Sequence, residues 1–296
     1  MKLQKQLTAA LAGAALFGSV ANAEIPLTDE LSAYGYIDMA LTDGEATGDT
    51  STTVAEFELG FAFTPTESAW SAVAELSFDG GLGPNATDSE WETVTISYQY
   101  SDSLSFTIGN ILSYQGFETF DATGLYQFSY AGAVNTPLYS AGYAVGASAD
   151  GSMGDFDYGV WVGDTDSGTN SFEYLVAYNG IENLTVKVIY ADDPGYETVN
   201  VWAAYDYGDF TFAVETVDTE YEPGVGIDLD VQTALVYYAM GKAGITVRFA
   251  DGEYAGADYE KFTVSPSYSF SDNVFGLVEF SSEELGDIEQ DTAAVE

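Results

Sequence analysis

Ala55-Glu56-Phe57-Glu58-Leu59-Gly60-Phe61-Ala62-Phe63 is apolar at every odd position and acidic or small at every even one. A period of two sends these sets to opposite faces of an extended strand. The same pattern recurs down the chain. Trp70, Ala72, Ala74, Leu76 and Phe78 alternate with Ser71, Glu75 and Ser77. Val94, Ile96, Tyr98 and Tyr100 alternate with Thr93, Thr95, Ser97 and Gln99. Comparable sets occupy 172–178, 184–190 and 199–207, and helical periodicity is nearly absent.

About sixteen such segments are predicted: 31–42, 54–64, 69–79, 91–100, 104–114, 138–148, 155–163, 171–179, 184–191, 197–207, 210–218, 228–240, 244–251, 258–270, 274–282 and a last one from 288. Their connections alternate in length. Short links stand at 65–68, 101–103, 151–154, 180–183, 208–209, 241–243 and 271–273. Longer, more acidic ones stand at 43–53, 80–90, 115–137, 219–227 and 283–287. Short turns at one end and long loops at the other predict an all-β fold, a transmembrane up-and-down antiparallel β-barrel. Pro65, Pro84, Pro137, Pro194 and Pro223 fall in connections, as strands require, and Pro266 marks either a bulge or a strand boundary slightly displaced. Aromatic residues crowd the strand ends beside the short turns: Phe61, Phe63 and Trp70; Tyr98, Tyr100 and Phe106; Tyr205, Tyr207, Phe210 and Phe212; Tyr268, Phe270 and Phe275. An aromatic girdle at headgroup level has this placement. A soluble sandwich has no reason to alternate its loop lengths or to gather aromatics at one end.

The N-terminus reads as a leader. Lys2 and Lys5 precede an apolar run over 7–20, and Ala21-Asn22-Ala23 is a small-x-small cleavage pattern, so 1–23 is expected to be a signal peptide and 24–296 the barrel. The apolar run is shorter than the roughly 20 residues of a spanning helix.

Composition narrows function. The 296 residues hold 48 Asp and Glu against 6 Lys and Arg, with no His and no Cys, for a formal charge of -42. Such a chain repels phosphate backbones, which excludes nucleic-acid partners. Without His or Cys there is no ordinary zinc site and no Ser-His-Asp or Cys-His catalysis. An enzyme is not expected, nor any cofactor or metal. Asp164-Thr165-Asp166-Ser167-Gly168 opens like a calcium loop but has Thr169 where glycine and Leu175 where glutamate are needed.

Gly109-Asn110-Ile111-Leu112-Ser113-Tyr114-Gln115-Gly116-Phe117-Glu118-Thr119-Phe120, continuing to Ala131, resembles the β-barrel porins of Gram-negative outer membranes, the OmpL-like branch. The shared features are a glycine-led strand, a Gly-aromatic-Glu element and an aromatic-rich loop. The resemblance implies a passive outer-membrane pore in lipid and lipopolysaccharide, assembled as a homotrimer, without catalytic residues.

Alternation assigns inward positions, among them Glu56, Glu58, Glu75, Asp206, Glu215 and Gln232. An acidic lining attracts cations over roughly a Debye length of ~8–10 Å, so cations and small hydrophilic solutes are the expected traffic. The longest loop, 115–137, carries Phe117, Glu118, Phe120 and Asp121, and is expected to fold inward as a constriction. Arg248 and Lys261, on adjacent strands with lumen parity, would oppose its acids across the opening, or else neutralise wall carboxylates such as Glu253 or Glu260. The competing function is a secreted, pore-free all-β carbohydrate-binding or surface-interaction protein, since aromatics stack on sugars. The chain ends Asp291-Thr292-Ala293-Ala294-Val295-Glu296, which predicts a sixteenth strand about half of full span: either the chain lacks its last residues, or the closing strand is short and its seam with the first strand near 34–41 is weakly paired.

Overall fold

The computed structural model describes residues 24–44, 50–79, 90–118, 120, 122–139, 142–164, 170–226 and 228–296. The predicted leader, Asp121 and most of the calcium-like loop lie outside these residues.

Among the described residues the alternating segments form seventeen strands. They are β1 (Ile25–Pro26), β2 (Leu31–Gly44), β3 (Thr50–Phe63), β4 (Trp70–Asp79), β5 (Glu90–Ser101), β6 (Leu104–Leu112), β7 (Tyr143–Met153), β8 (Phe156–Asp164) and β9 (Asn170–Ile181). Then follow β10 (Leu184–Asp193), β11 (Tyr196–Tyr207), β12 (Phe210–Tyr221), β13 (Leu229–Met240), β14 (Ala243–Tyr254), β15 (Ala257–Ser271), β16 (Val274–Leu285) and β17 (Ile288–Val295). From β2 onward each strand pairs antiparallel with the next, and β17 returns to β2. The result is one closed sixteen-stranded barrel, in which the last strand meets the first through four residue pairs. The two-residue β1 pairs only at the foot of β2, Ile25 opposite Ala33.

Closure falls at a different height from the one expected. Val295 faces Leu41 and Thr292 faces Gly44, so the seam lies over 41–44 rather than 34–41. β17 has 8 residues, more than the half-span predicted. The sixth predicted segment also moves: β7 begins at Tyr143, not 138, because Leu138 and Tyr139 are buried within the preceding loop.

One register shift changes which acid faces inward. Between β4 and β5 the register shifts from Ala74 opposite Val94 to Leu76 opposite Trp91. The extra β5 residue is a bulge, and it turns Glu92 inward against simple alternation. Beside it Gly109 of β6 holds φ 139°, and a Cβ there would lie 1.9 Å from the Val94 carbonyl oxygen. Only glycine lets the two backbones approach that closely. Pro266 sits exposed on β15 in unbroken register with Ile245, not in a bulge. The β15–β16 ladder lapses at 265–266, where the Val278 carbonyl accepts instead from the Ser265 hydroxyl at 3.3 Å.

The exterior carries the aromatic girdle as predicted. Trp70 packs on Tyr98 with ring centroids 4.7 Å apart, Phe210 on Tyr238 at 4.4 Å and Tyr268 on Phe270 at 5.2 Å, all beside short turns. Phe275 is the exception, sharing the inward parity of Leu277. At the long-loop end the same exterior face turns acidic. Asp218 stands opposite Asp230, Asp230 opposite Glu253, Glu253 opposite Asp258, and Glu260 opposite Glu284. Like charges in direct register destabilise a sheet, so this band belongs outside the hydrocarbon, where water and ions screen it. Gln232, expected inside, is exposed on this face because Val231, Thr233 and Leu235 take the inward parity of β13.

Candidate functional site

The barrel interior is built from the inward positions and from the loop between β6 and β7. That loop enters the barrel, runs along the inside of the wall in the same sense as the strands are numbered as far as Ser129, and then turns back. Its start is held at β9, where Glu173 accepts from the Ser113 hydroxyl at 2.7 Å and the Tyr114 N–H at 2.8 Å. Next comes β11, where Asn200 accepts from the Gly116 N–H at 3.0 Å. Glu215 of β12 accepts from the Phe117 N–H at 2.8 Å and from Asn200 at 2.7 Å. On β14 the Thr246 hydroxyl donates to the Tyr126 carbonyl at 2.6 Å. On β15 the Tyr259 hydroxyl donates to the Ala131 carbonyl at 2.7 Å. Finally Glu279 of β16 accepts from the Ser129 N–H at 3.0 Å.

The chemistry of these anchors is uniform. Wall carboxylates and amides take loop N–H groups, and wall cations and hydroxyls give to loop carbonyls. An irregular loop brings backbone donors and acceptors that no ladder satisfies, and leaving them unmade inside the barrel costs free energy. Charged partners make the stronger bonds.

Arg248 is the centre of this arrangement. Its guanidinium is 1% exposed and pairs with the Glu118 carboxylate. It also donates to the Ser129 carbonyl at 2.7 Å, the Ser129 hydroxyl at 3.0 Å, the Tyr130 carbonyl at 2.9 Å and the Thr263 hydroxyl at 3.1 Å. Glu118 completes its shell by accepting from Gln127 at 2.7 Å and from the Ala131 N–H at 2.7 Å. Lys261, 2% exposed, donates to the Tyr130 carbonyl at 2.9 Å and pairs with Glu283 at 3.4 Å.

These contacts correct the geometry predicted for the charges. Arg248 and Glu118 meet, but in contact beneath the loop rather than across an opening. Glu118 does not face the lumen water. Glu253 and Glu260, the alternative partners, lie on the exterior, since they occupy the outward parity of β14 and β15.

The loop's aromatics fill the space between loop and wall. Phe117 is buried edge-on to Trp202, centroids 5.7 Å apart, in a cluster with Ile189, Ala213 and Leu235. A second cluster joins Ala131, Ala133 and Leu138 of the loop to Val217, Val231, Ala250 and Tyr259 of the wall. The wall from β10 to β15 is therefore apolar where the loop covers it, not uniformly acidic. Phe120 is half-buried and meets Tyr143 at 5.6 Å. The Tyr114 hydroxyl donates to Asp150 at 2.5 Å; burial, and after it the negative charge of Asp150, push this phenol above its ordinary range.

The remaining predicted lining residues divide. Glu215 is buried under the loop. Glu75 is half-buried and accepts from the Tyr34 hydroxyl at 2.5 Å. Asp206 is exposed near the short-turn end and accepts from Thr211 at 2.6 Å. Glu56 and Glu58 gather with Glu92, one oxygen of each within 4.8 Å of the others. Glu92 was missed by alternation because the bulge that turns it inward leaves no mark in the pattern. Lys187 also points inward, half-buried, with its ammonium 4.8 Å from the Trp202 ring centre.

The chain matches a family model described as Gram-negative porin over residues 8–282. No curated protein sequence matches it. Among solved structures, an anion-selective porin from Comamonas acidovorans aligns at a TM-score of 0.69 and 14% identity, covering 90% of this chain and 97% of that one. A multiply substituted porin of Rh. blastica aligns at 0.64 and 18% identity, covering 90% and 98%. A loop-deletion form of OmpT, an outer membrane protein of Vibrio cholerae, aligns at 0.63 and 13%, covering 90% and 97%.

Proposed function

The chain belongs to the Gram-negative porin family, whose members are outer-membrane β-barrels, and on that premise we propose that it is a passive channel for small hydrophilic solutes that prefers cations. Family membership sets aside the alternative of a secreted, pore-free carbohydrate-binding module. The observation that carries the cation preference is where the few basic groups sit. Residues 24–296 contain only Lys187, Lys242, Arg248 and Lys261. Arg248 and Lys261 are consumed in fastening the loop, and Lys242 lies in a short turn, bonded to the Phe270 carbonyl at 3.2 Å. Lys187 is the one of the four that takes lumen parity without serving the loop, against Glu75, Asp157 and Asp206 on the same inner face. Such a lining draws cations in and turns anions away. The anion selectivity named for the Comamonas porin is that protein's own; at 14% identity the likeness extends to the fold.

The inward loop is the constriction in this reading, with Phe117, Glu118, Phe120 and Asp121 on its first half. Arg248 and Lys261 act by holding that loop to the wall instead of polarising the opening. Lipid and lipopolysaccharide surround the barrel, and it assembles as a homotrimer. No catalytic step is assigned.

The test is a reversal potential in a planar bilayer across a tenfold salt gradient. A cation-preferring channel gives a potential of the sign set by the permeant cation; the opposite sign overturns the preference. Deleting residues 117–128 is expected to raise single-channel conductance, and an unchanged conductance overturns the constriction.

A further inference from the structure

One cleft at the long-loop end stands apart from the acidic surface around it. It opens between the returning limb of the inward loop and the inner wall of β12 to β14, with a volume of about 220 Å³. Tyr221, Tyr254, Thr136, Thr219 and Leu229 line it, and no charged side chain does. In a chain of net charge -42 that neutrality is itself information: the cleft offers a cation nothing the rest of the mouth lacks.

Its polar groups are hydroxyls with acceptor capacity to spare. The Thr136 hydroxyl donates to the Ala133 carbonyl at 2.8 Å and lies 3.2 Å from the Tyr254 hydroxyl. The Thr219 hydroxyl shares one bond with Thr198 at 3.0 Å. Each hydroxyl carries one donor and two acceptor lone pairs, so these contacts leave lone pairs open. Both rings are set by neighbours: Tyr221 packs on Tyr196 at 5.0 Å and Tyr254 on Tyr259 at 5.6 Å. Fixed aromatic rings beside hydroxyls suit a ligand with an apolar C–H face and a rim of hydroxyls. The volume equals about seven waters, which suits one ring with its substituents and excludes a drug-sized molecule.

We propose that this cleft is a binding subsite for an uncharged sugar ring, through which the channel samples neutral saccharides at its outer mouth. This deepens the pore reading by naming one class of solute, and rests on it only for the route onward. The ring stacks on Tyr254 or Tyr221 and its hydroxyls donate to Thr136 and Thr219.

The test uses full-length protein in detergent, with maltose as the probe and saturation-transfer NMR as the readout. Wild type is expected to transfer magnetisation to maltose protons. Tyr254→Ala and Tyr221→Ala are expected to weaken binding about three- to tenfold each, the range expected for loss of one aromatic contact. Tyr254→Phe keeps the ring, and is expected to stay closer to wild type than Tyr254→Ala. No transfer in wild type, transfer in both alanine variants equal to that of wild type, or equal binding of galacturonate, overturns the assignment. Ionic conductance of the same preparation checks the channel separately. Conductance without maltose binding removes only the sugar site. Maltose binding without conductance supports the site and removes the channel.

Discussion

Replacing Arg248 with Met keeps a long apolar stem and deletes the guanidinium. The Glu118 carboxylate then stays buried with only Gln127 and the Ala131 N–H to satisfy it, and the Ser129 carbonyl loses its donor. Removing one partner of a buried ion pair costs about 3–5 kcal/mol. Lys261 and Tyr259 still hold the Tyr130 and Ala131 carbonyls, which places the expected loss near the lower end. Since each 1.4 kcal/mol is tenfold, about 3 kcal/mol means roughly 150-fold more frequent opening of the loop. Hydrogen exchange with mass spectrometry on peptides covering 125–133 reads this directly, because exchange through local opening follows the opening free energy. Peptides from β13 to β15 serve as the internal reference and are expected to change little. The double variant Arg248→Met with Glu118→Gln leaves no orphaned charge. It is expected to exchange more slowly than Arg248→Met alone. Exchange within about threefold of wild type in the single variant, or a double variant worse than the single, refutes the view that this pair fastens the loop.

Other outcomes follow from the same geometry. Phe117→Ala is expected to cost about 3–5 kcal/mol by leaving a void against Trp202 and Leu235, read as an earlier loss of the heat-modifiable folded band on gels; an unchanged transition contradicts the burial. Lys187→Glu removes the single lumen-facing cation not engaged by the loop, and is expected to move the reversal potential further toward cations. If the potential stays where it was, Lys187 does not meet the permeating ions.

The barrel was legible wherever alternation is the whole rule. Strands such as β11 and β12 begin and end within a few residues of the predicted segments because lipid on one side and water or packing on the other enforce a period of two. Departures arose where something else acts. The bulge that turns Glu92 inward is a property of backbone register, with no side chain to announce it. Leu138 and Tyr139 read as strand because they are apolar, but their apolar partners belong to the loop interior. Gln232 read as lining because a polar residue was assumed to face the lumen, whereas at the long-loop end the exterior is polar too. For Arg248 the parity was right and the role was not. Alternation says which face a side chain takes, while its partner Glu118 lies 130 positions away and was reached only through the course of the loop.

That course has a consequence for how the barrel assembles. The loop's first anchors, at Ser113 and Phe117, join residues 60 and 98 positions apart, and its furthest along the wall, at Ser129, joins residues 150 apart. From Ser113 to Ser129, loop and wall meet in the order in which strands are added. Each docking event therefore extends an existing closure instead of opening a new one. Closure entropy grows only with the logarithm of length, about 0.6 kcal/mol per doubling, so going from 60 to 150 positions adds little to the barrier. The loop can lace to the wall strand by strand while the hairpins align, and the closing pair of β17 with β2 then seals a barrel in which it is already fastened.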